Sequence, residues 1–203
     1  YSNNDLDWSK FSSLSVLTLK MKSIINKRKI TGSFLFKRSL KYLYFNELAI
    51  PVQSEKPVQY FNFKLTKHWV LSNFLFNSTF CFQYSDNNAL SVPIFLYHQK
   101  ITYTRKIFTD IIISSSLSGY VFSPYYANSF EPATDVFYQQ FETETLISPF
   151  LSADLTISKN NFNLGFSIDN LNSLLLQENY FSPTYFLPKA PIVRLSIKWI
   201  FLD

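Results

Sequence analysis

The sequence predicts an all-β protein whose strands form an antiparallel up-and-down sheet. Aromatic residues make up 19% of the 203 residues, with 22 Phe and 13 Tyr against only 3 Gly, and Phe and Tyr favour extended strands. Apolar and polar residues alternate with a period of two in several segments, as the two faces of a strand require. No segment approaches the ~18 consecutive apolar residues of a membrane-spanning helix. This pattern excludes a helical membrane protein.

The alternation is clearest at the C-terminus, where an apolar set beginning at Val193 alternates with a polar set beginning at Arg194. Segments 151–158 and 162–169 repeat it, and 74–84 repeats it with Phe at most apolar positions. Most of the predicted strands are about 9–14 residues long, whereas strands of soluble sheets are usually ~5–6 residues long. From the N-terminus, we predict roughly nine strands, at 11–23, 29–45, 57–66, 74–84, 94–104, 110–122, 151–158, 162–169 and 193–201.

The connections between these strands alternate in length. Short links are predicted at 26–28, 67–69, 105–106 and 159–161, and long ones at 46–56, 85–93, 123–148 and 171–189. An outer-membrane β-barrel has short turns on its periplasmic side and long loops outside. The alternation therefore favours an antiparallel up-and-down transmembrane β-barrel over a soluble sandwich, although a soluble sheet with one solvated face also produces the two-residue period.

One face of the predicted strands is polar and carries charges, as the lining of a water-filled barrel interior would. The apolar face would then contact lipid. If the chain ends in the periplasm, Trp69 and Trp199 fall near that membrane interface, where Trp is favoured. Because basic residues outnumber acidic ones among the candidate lining residues, a mild preference for anions is expected. These candidates are Lys20, Lys37, Lys64, Lys100, Asp154, Asp169, Arg194 and Lys198.

Length and composition fit a single domain over residues 1–203. The net charge of +5 is spread along the chain and indicates no particular partner, and in particular no nucleic acid. The chain begins without Met or an apolar secretory segment, although an outer-membrane protein must be exported. Bacterial single-chain barrels have even strand numbers, so we expect roughly nine strands to be the C-terminal part of a longer barrel.

Catalytic, cofactor and metal sites are not predicted. The two histidines, His68 and His98, are far apart in sequence, and Cys81 is the single cysteine, so no metal-ligand spacing is present. The enzymatic alternative is a serine hydrolase that uses a histidine with Ser114, Ser115, Ser116 or Ser118, but the sequence contains no GxSxG elbow. We therefore expect a protein that is not an enzyme.

The C-terminal half resembles the putative porins of Bacteroidetes. The resemblance is carried by FLYH at 95–98, SPYY at 123–126, EPAT at 131–134, FYQQ at 137–140, FSPTYFLP at 181–188 and RLSIKWIF at 194–201. It is good over about residues 90–203 and weak before them. Ser196 departs from the Gly often found there, and Leu202-Asp203 follow the terminal aromatic. The resemblance implies a barrel inserted into the outer membrane by the barrel-assembly machinery, with Phe201 as the candidate assembly signal, and passive diffusion with no known substrate.

Together these observations predict an outer-membrane channel for small hydrophilic solutes, with a homo-oligomer left open. One alternative is a closed barrel that serves as a structural or docking element, with its interior plugged and its long loops forming an interaction surface. Another is a soluble, ligand-binding β domain similar to a lipocalin.

Overall fold

A computed structural model of the chain describes residues 11–25, 29–145, 149–175 and 190–201. Nine long strands form one antiparallel sheet in the order β1-β2-β5-β6-β7-β8-β11-β12-β13. Each long strand pairs with the next long strand along the chain, which confirms the predicted all-β meander. The long strands are β1 Ser15–Ile25, β2 Ile30–Leu40, β5 Val58–Leu71, β6 Phe74–Ser85, β7 Phe95–Phe108, β8 Ile111–Phe122, β11 Phe150–Lys159, β12 Phe162–Asp169 and β13 Ile192–Trp199.

Two small hairpins lie within the long connections. β3 (Leu43–Phe45) pairs with β4 (Pro51–Gln53), and β9 (Ser129–Glu131) pairs with β10 (Val136–Tyr138). The short helix α1 spans Asn172–Leu175 and follows β12. Within the described residues, no helix has the length and apolarity needed to cross a membrane.

Two predicted short links are wrong, because the strands continue through them. Residues 67–69 lie inside β5, which ends at Leu71, and the turn is at Ser72 and Asn73. Ser72 has a φ of 51°, the left-handed conformation typical of two-residue hairpin turns. Residues 105–106 likewise lie inside β7, and the turn follows at 109–110. A charged residue on the apolar face of each strand, Lys67 or Arg105, interrupts the alternation without ending the strand.

Two other predicted boundaries differ from the observed ones. The predicted strand 29–45 breaks at Lys41, whose φ is 56°, so its last three residues form β3 instead. The link at 159–161 narrows to a turn at Asn160 and Asn161, since Lys159 still belongs to β11. The link at 26–28 and the segment 176–189 lie outside the described residues.

The register of the ladder sorts the side chains of the whole sheet into two faces, because directly paired residues point to the same side. Phe34, for example, pairs with Phe63 and Phe63 with Phe82. On the next row of the other face, Ser33 pairs with Lys64 and Lys64 with Cys81. A register shift interrupts the nine-stranded ladder between Lys106 and Phe108, beside a turn. The two-residue period therefore produces one mainly apolar and one mainly polar face across all nine strands.

The buried residues of the described part lie at the end of the sheet that carries the long connections. The apolar ones are Val58, Ala89 and Ala127, and the polar ones are Ser39, Ser54, Gln139, Thr145 and Asn172. Large side chains on the apolar face stay exposed, including Phe82 at 47% and Leu195 at 68%. No second layer of the described chain covers this face.

The two outer strands of the sheet have free edges. β1 and β13 each pair on one side only within the described residues, and all of their residues are exposed. An exposed edge presents unpaired N–H and C=O groups, which other strands can pair with. The described part of the sheet is therefore open.

The close packing of β8 against β11 can be tested at Gly119. A Cβ added there would lie 2.7 Å from Leu151 Cδ2 and 3.3 Å from the Phe150 carbonyl oxygen. We expect Gly119→Ala to lower the free energy of unfolding by about 1 kcal/mol. At Gly32, nothing lies within 4 Å of an added Cβ, so Gly32→Ala should be neutral or stabilising, since Gly weakens a strand interior. Urea-unfolding midpoints measured by circular dichroism would test this. Equal shifts in both variants would contradict it.

Candidate functional site on the polar face of the sheet

Every predicted lining residue lies on the same face of the sheet. Lys20, on β1, is opposite Leu35, and Lys37, on β2, is opposite Thr18. On β5, Lys64 shares its row with Ser33 and Cys81. The other predicted residues follow the same parity on β7, β11, β12 and β13: Lys100, Asp154, Asp169, Arg194 and Lys198. We call this surface the polar face.

The polar face is basic. Within the nine long strands, only Asp154 and Asp169 are acidic, and both lie on this face. Eight basic residues accompany them, two of which, Lys22 and Lys106, were not among the predicted lining residues. The eight are Lys20, Lys22, Lys37, Lys64, Lys100, Lys106, Arg194 and Lys198.

Both acidic residues form ion pairs on this face. Lys100 Nζ lies 3.6 Å from Asp154 Oδ2, and the Ser116 hydroxyl donates a 2.8 Å hydrogen bond to the same oxygen. Arg194 donates to Asp169. The side chains of Lys100 and Asp154 are 40% and 38% exposed, so this pair contributes little to stability. Its main consequence is to neutralise charge locally.

Hydrogen bonds between side chains cross the polar face on β5 and β6. Tyr60 Oη donates to Gln83 Oε1 at 2.8 Å, and Asn62 Nδ2 donates to Cys81 Sγ at 3.0 Å. The hydroxyls of Thr66 and Thr79 are 3.3 Å apart one row further. The strands thus present a continuous row of polar groups, with Cys81 among them and partly exposed.

The two predicted interface tryptophans lie on the apolar face near the short-turn end. Trp69 stacks on Phe76 with ring centroids 4.4 Å apart, and Trp199 contacts Phe162 edge-on at 6.3 Å. Phe201 follows β13, is 75% exposed and stacks on Trp199 at 5.0 Å. These two groups of aromatic rings lie at the same end of the apolar face.

The long connections 41–57, 86–94 and 123–145 contact one another, and we call them the loop layer. Asn87 Nδ2 donates to Ser54 Oγ at 3.2 Å, and Gln139 N donates to the Phe45 carbonyl at 3.0 Å. Burial in the layer raises the pKa of the phenols of Tyr42 and Tyr125. Both phenols therefore stay neutral at physiological pH.

The loop layer covers the polar side of the sheet. At the long-connection end of β2, Ser39 on the polar face is 7% exposed, whereas its neighbour Leu40 on the apolar face is 44% exposed. Val58, also on the polar face, is 2% exposed, and Tyr84 on the apolar face is 50% exposed. The sequence predicted long loops here but did not predict that they pack together.

A group of aromatic rings on the polar face was also missed. Tyr120, Phe122 and Phe150 lie at the long-connection end of β8 and β11. The Tyr120 and Phe150 ring centroids are 5.0 Å apart with planes 11° from parallel. We call these three residues the aromatic strip. The available signal was that Tyr120 and Phe122 continue the two-residue spacing of Ser116 and Ser118 along β8.

The hydroxyls of two of the four serines considered for hydrolysis have other partners. Ser116 donates to Asp154, and Ser114 Oγ lies 3.0 Å from Thr104 Oγ1. His68 is hydrogen-bonded to Asn77, and His98 has Thr79 and Tyr120 as its cross-strand neighbours. In the described part of the chain, neither histidine hydrogen-bonds to a serine, and no three His, Cys, Asp or Glu side chains form a group that could hold a metal ion.

The fold and the two faces define a class: an antiparallel all-β protein with one continuous apolar face and one continuous polar face. A comparison with protein families matches the family described as "putative porin" over residues 1–203. The chain belongs to this family, which confirms the resemblance found in the sequence. No curated protein and no solved structure matches the chain. Family membership supports a porin-like, non-enzymatic role and, in general, an outer-membrane location.

Proposed function

We propose that the chain forms the C-terminal part of a closed transmembrane β-barrel that passes small hydrophilic solutes passively through the outer membrane. The observation that carries the proposal is the continuity of the two faces across nine paired strands. A lipid-facing surface must be apolar, whereas the interior of an outer-membrane barrel is polar. The polar face is then the lining of the water-filled interior, the lumen.

Exposure of the apolar face supports contact with lipid. A contiguous exposed apolar surface larger than a few hundred Å² marks an interaction site in proteins, and here it extends over all nine long strands. In a lipocalin-like domain, or in a soluble sandwich, this face would form the packed core. Phe63, Phe166 and Ile197 are instead 43%, 42% and 65% exposed. These exposures argue against both soluble alternatives.

The edges and the stagger of the sheet support closure. Lipid offers no hydrogen-bond partner to the unpaired edges of β1 and β13, so a sheet can cross a membrane only as a closed barrel. Barrel closure also requires neighbouring strands to be staggered. Ile30, the first residue of β2, is opposite Lys67 rather than the last residue of β5, and Phe74 at the start of β6 is opposite Tyr103.

Further strands of the same barrel would pair with the two free edges. Phe201, exposed after the last strand, is the residue we propose as the signal to the barrel-assembly machinery. Trp69 and Trp199 would then lie at the periplasmic interface, and the loop layer would lie on the outer side. Association of several barrels is compatible with this arrangement.

The loop layer is also compatible with the alternative function as a docking element. Because it covers the polar side of the sheet at the long-connection end, it would narrow or close the lumen at that end. A barrel closed in this way would be a structural element with an outward-facing surface, and it would not conduct.

Single-channel recording in a planar bilayer separates the two functions, and Cys81 provides a reporter of the lining. We expect the purified complete protein to give ohmic conductance steps. A sulfonate-bearing methanethiosulfonate reagent should reduce these steps, because Cys81 lies on the polar face and is the single cysteine of these 203 residues.

In the matched control, Cys81→Ser, the reagent should leave the steps unchanged. A protein that inserts but gives no steps would contradict the channel and favour the docking function. Unchanged steps after complete labelling, measured by mass spectrometry, would contradict the placement of Cys81 in the lining.

Ion selectivity tests the assignment of the faces. We expect a mild anion preference, since eight basic residues share the polar face with two acidic ones. Lys64→Gln should reduce the preference measured as a reversal potential in a KCl gradient. The reduction should be partial because seven basic residues remain.

Lys67→Gln is the matched control, since Lys67 lies three residues further on the same strand but on the apolar face. It should leave the reversal potential unchanged. Cation preference in the unmodified protein, or equal effects of the two substitutions, would show that the faces are wrongly assigned.

A further inference from the structure

We propose that the aromatic strip and the polar rows beside it form a binding site for neutral saccharides. This inference rests on the proposed function, since it places the strip in the lumen of the barrel. It names a class of solute that the channel would favour.

The strip presents an extended aromatic surface on a face whose other residues are mostly polar. Phe122 and Phe150 have ring centroids 5.9 Å apart and planes 19° from parallel, and Tyr120 and Phe122 have values of 6.4 Å and 25°. Tyr120 remains 41% exposed. Three nearly parallel rings on two adjacent strands form a larger apolar surface than a single side chain would. Covering such rings with a ligand removes a large apolar area from water.

Hydrogen-bonding groups lie directly beside the strip. His98 is the cross-strand neighbour of Tyr120, and Phe150 is its neighbour on the other side. The next row along the strands contains Lys100, Ser118, Ser152 and Asp169. The row after it contains Thr102, Ser116, Asp154, Ser167 and Arg194. Five of these nine side chains carry hydroxyl groups.

Charges next to the strip are paired, which favours a neutral ligand. Lys100 is paired with Asp154, and Arg194 with Asp169. The basic residues of β1, β2 and β5 on the polar face, by contrast, have no acidic residue on those strands. An anion would therefore be attracted to the β1–β5 part of the face, and the part next to the strip suits an uncharged molecule.

A saccharide has the chemistry that matches these groups. One side of a pyranose ring carries C–H groups that pack against an aromatic ring, and its hydroxyls donate and accept hydrogen bonds at the edge of the ring. A site with an apolar wall and a few placed polar groups is typical of small-molecule recognition. The rings of the strip would pack against the C–H groups. The hydroxyl, imidazole, carboxylate and guanidinium groups beside the strip would hydrogen-bond to the sugar hydroxyls.

The position of the strip also fits capture of a solute at the channel entrance. Tyr125, in the loop layer, contacts Phe122 edge-on with ring centroids 5.8 Å apart. The strip thus lies where the long loops join the sheet. A solute entering from the loop side would reach the rings before the rest of the lining.

Binding can be measured without conductance, which separates this inference from the proposed function. The experiment is saturation-transfer difference NMR, with titration, on the complete detergent-solubilised protein, using maltohexaose and cellohexaose as probes. We expect at least one of them to bind, and Tyr120→Ala combined with Phe150→Ala to weaken that binding about tenfold. Tyr120→Phe, which keeps the ring, should retain most of it.

Phe166→Ala is the matched control, because Phe166 is also aromatic and is 42% exposed, but lies on the apolar face. It should leave binding unchanged, and circular dichroism would verify that each variant is folded. Failure of both hexasaccharides to bind the folded protein, or equal binding by the double variant, would overturn the inference. Conductance without binding would remove the saccharide site alone, and binding without conductance would remove the channel alone.

Discussion

The hydrogen-bond ladder and its register are the constraint on which the rest of the structure depends. Because the side-chain period of a strand is two, a slip of one residue between any two strands would exchange the polar and apolar sets of every strand beyond it. The ladder runs in consistent register from β1 to β12, and β13 continues it. The register shift near Ile107 lies next to a turn, where it affects few pairs. A polar face nine strands wide exists only because each pairing preserves the parity of the one before.

The sequence was most informative where this parity is simple. Residues 162–169 alternate over their whole length, and a strand was predicted there with the observed bounds. The weaker pattern at 110–122 also predicted its strand to within one residue. The predictions were wrong where a charged residue stands on the apolar face. Lys67 and Arg105 suggested turns, but a cation at the end of a long flexible side chain can stay solvated while its backbone remains in the ladder. Distinguishing these two situations requires the pairing partners, which a single sequence does not give.

Three features of the candidate site could not be predicted from the two-residue period of the sequence. β3, β4, β9 and β10 are three residues long, too short to show a period. The loop layer depends on contacts between segments far apart in sequence, such as Gln139 with Phe45. The aromatic strip breaks the rule that identified the faces, since its rings occupy polar-face positions. The alternation predicts that residues lining the lumen are polar. An aromatic ligand-binding residue in the lining is an exception that the alternation cannot predict.

The distribution of charge gives the polar face two different parts. Lys20, Lys22, Lys37 and Lys64 lie on β1, β2 and β5, where no acidic residue is present, whereas Asp154 and Asp169 pair with Lys100 and Arg194 on β7 to β13. The other two basic residues of β7 to β13, Lys106 and Lys198, lie at the short-turn end of their strands, away from the aromatic strip. The potential over the first part therefore acts at long range on ions, and it weakens as salt is added. Contacts in the second part act at short range and depend on the shape and hydrogen bonding of a solute. A lumen with both parts would select ions at one wall and bind neutral solutes at another. The two kinds of selectivity would then respond to different substitutions. Only ion selectivity would depend strongly on ionic strength.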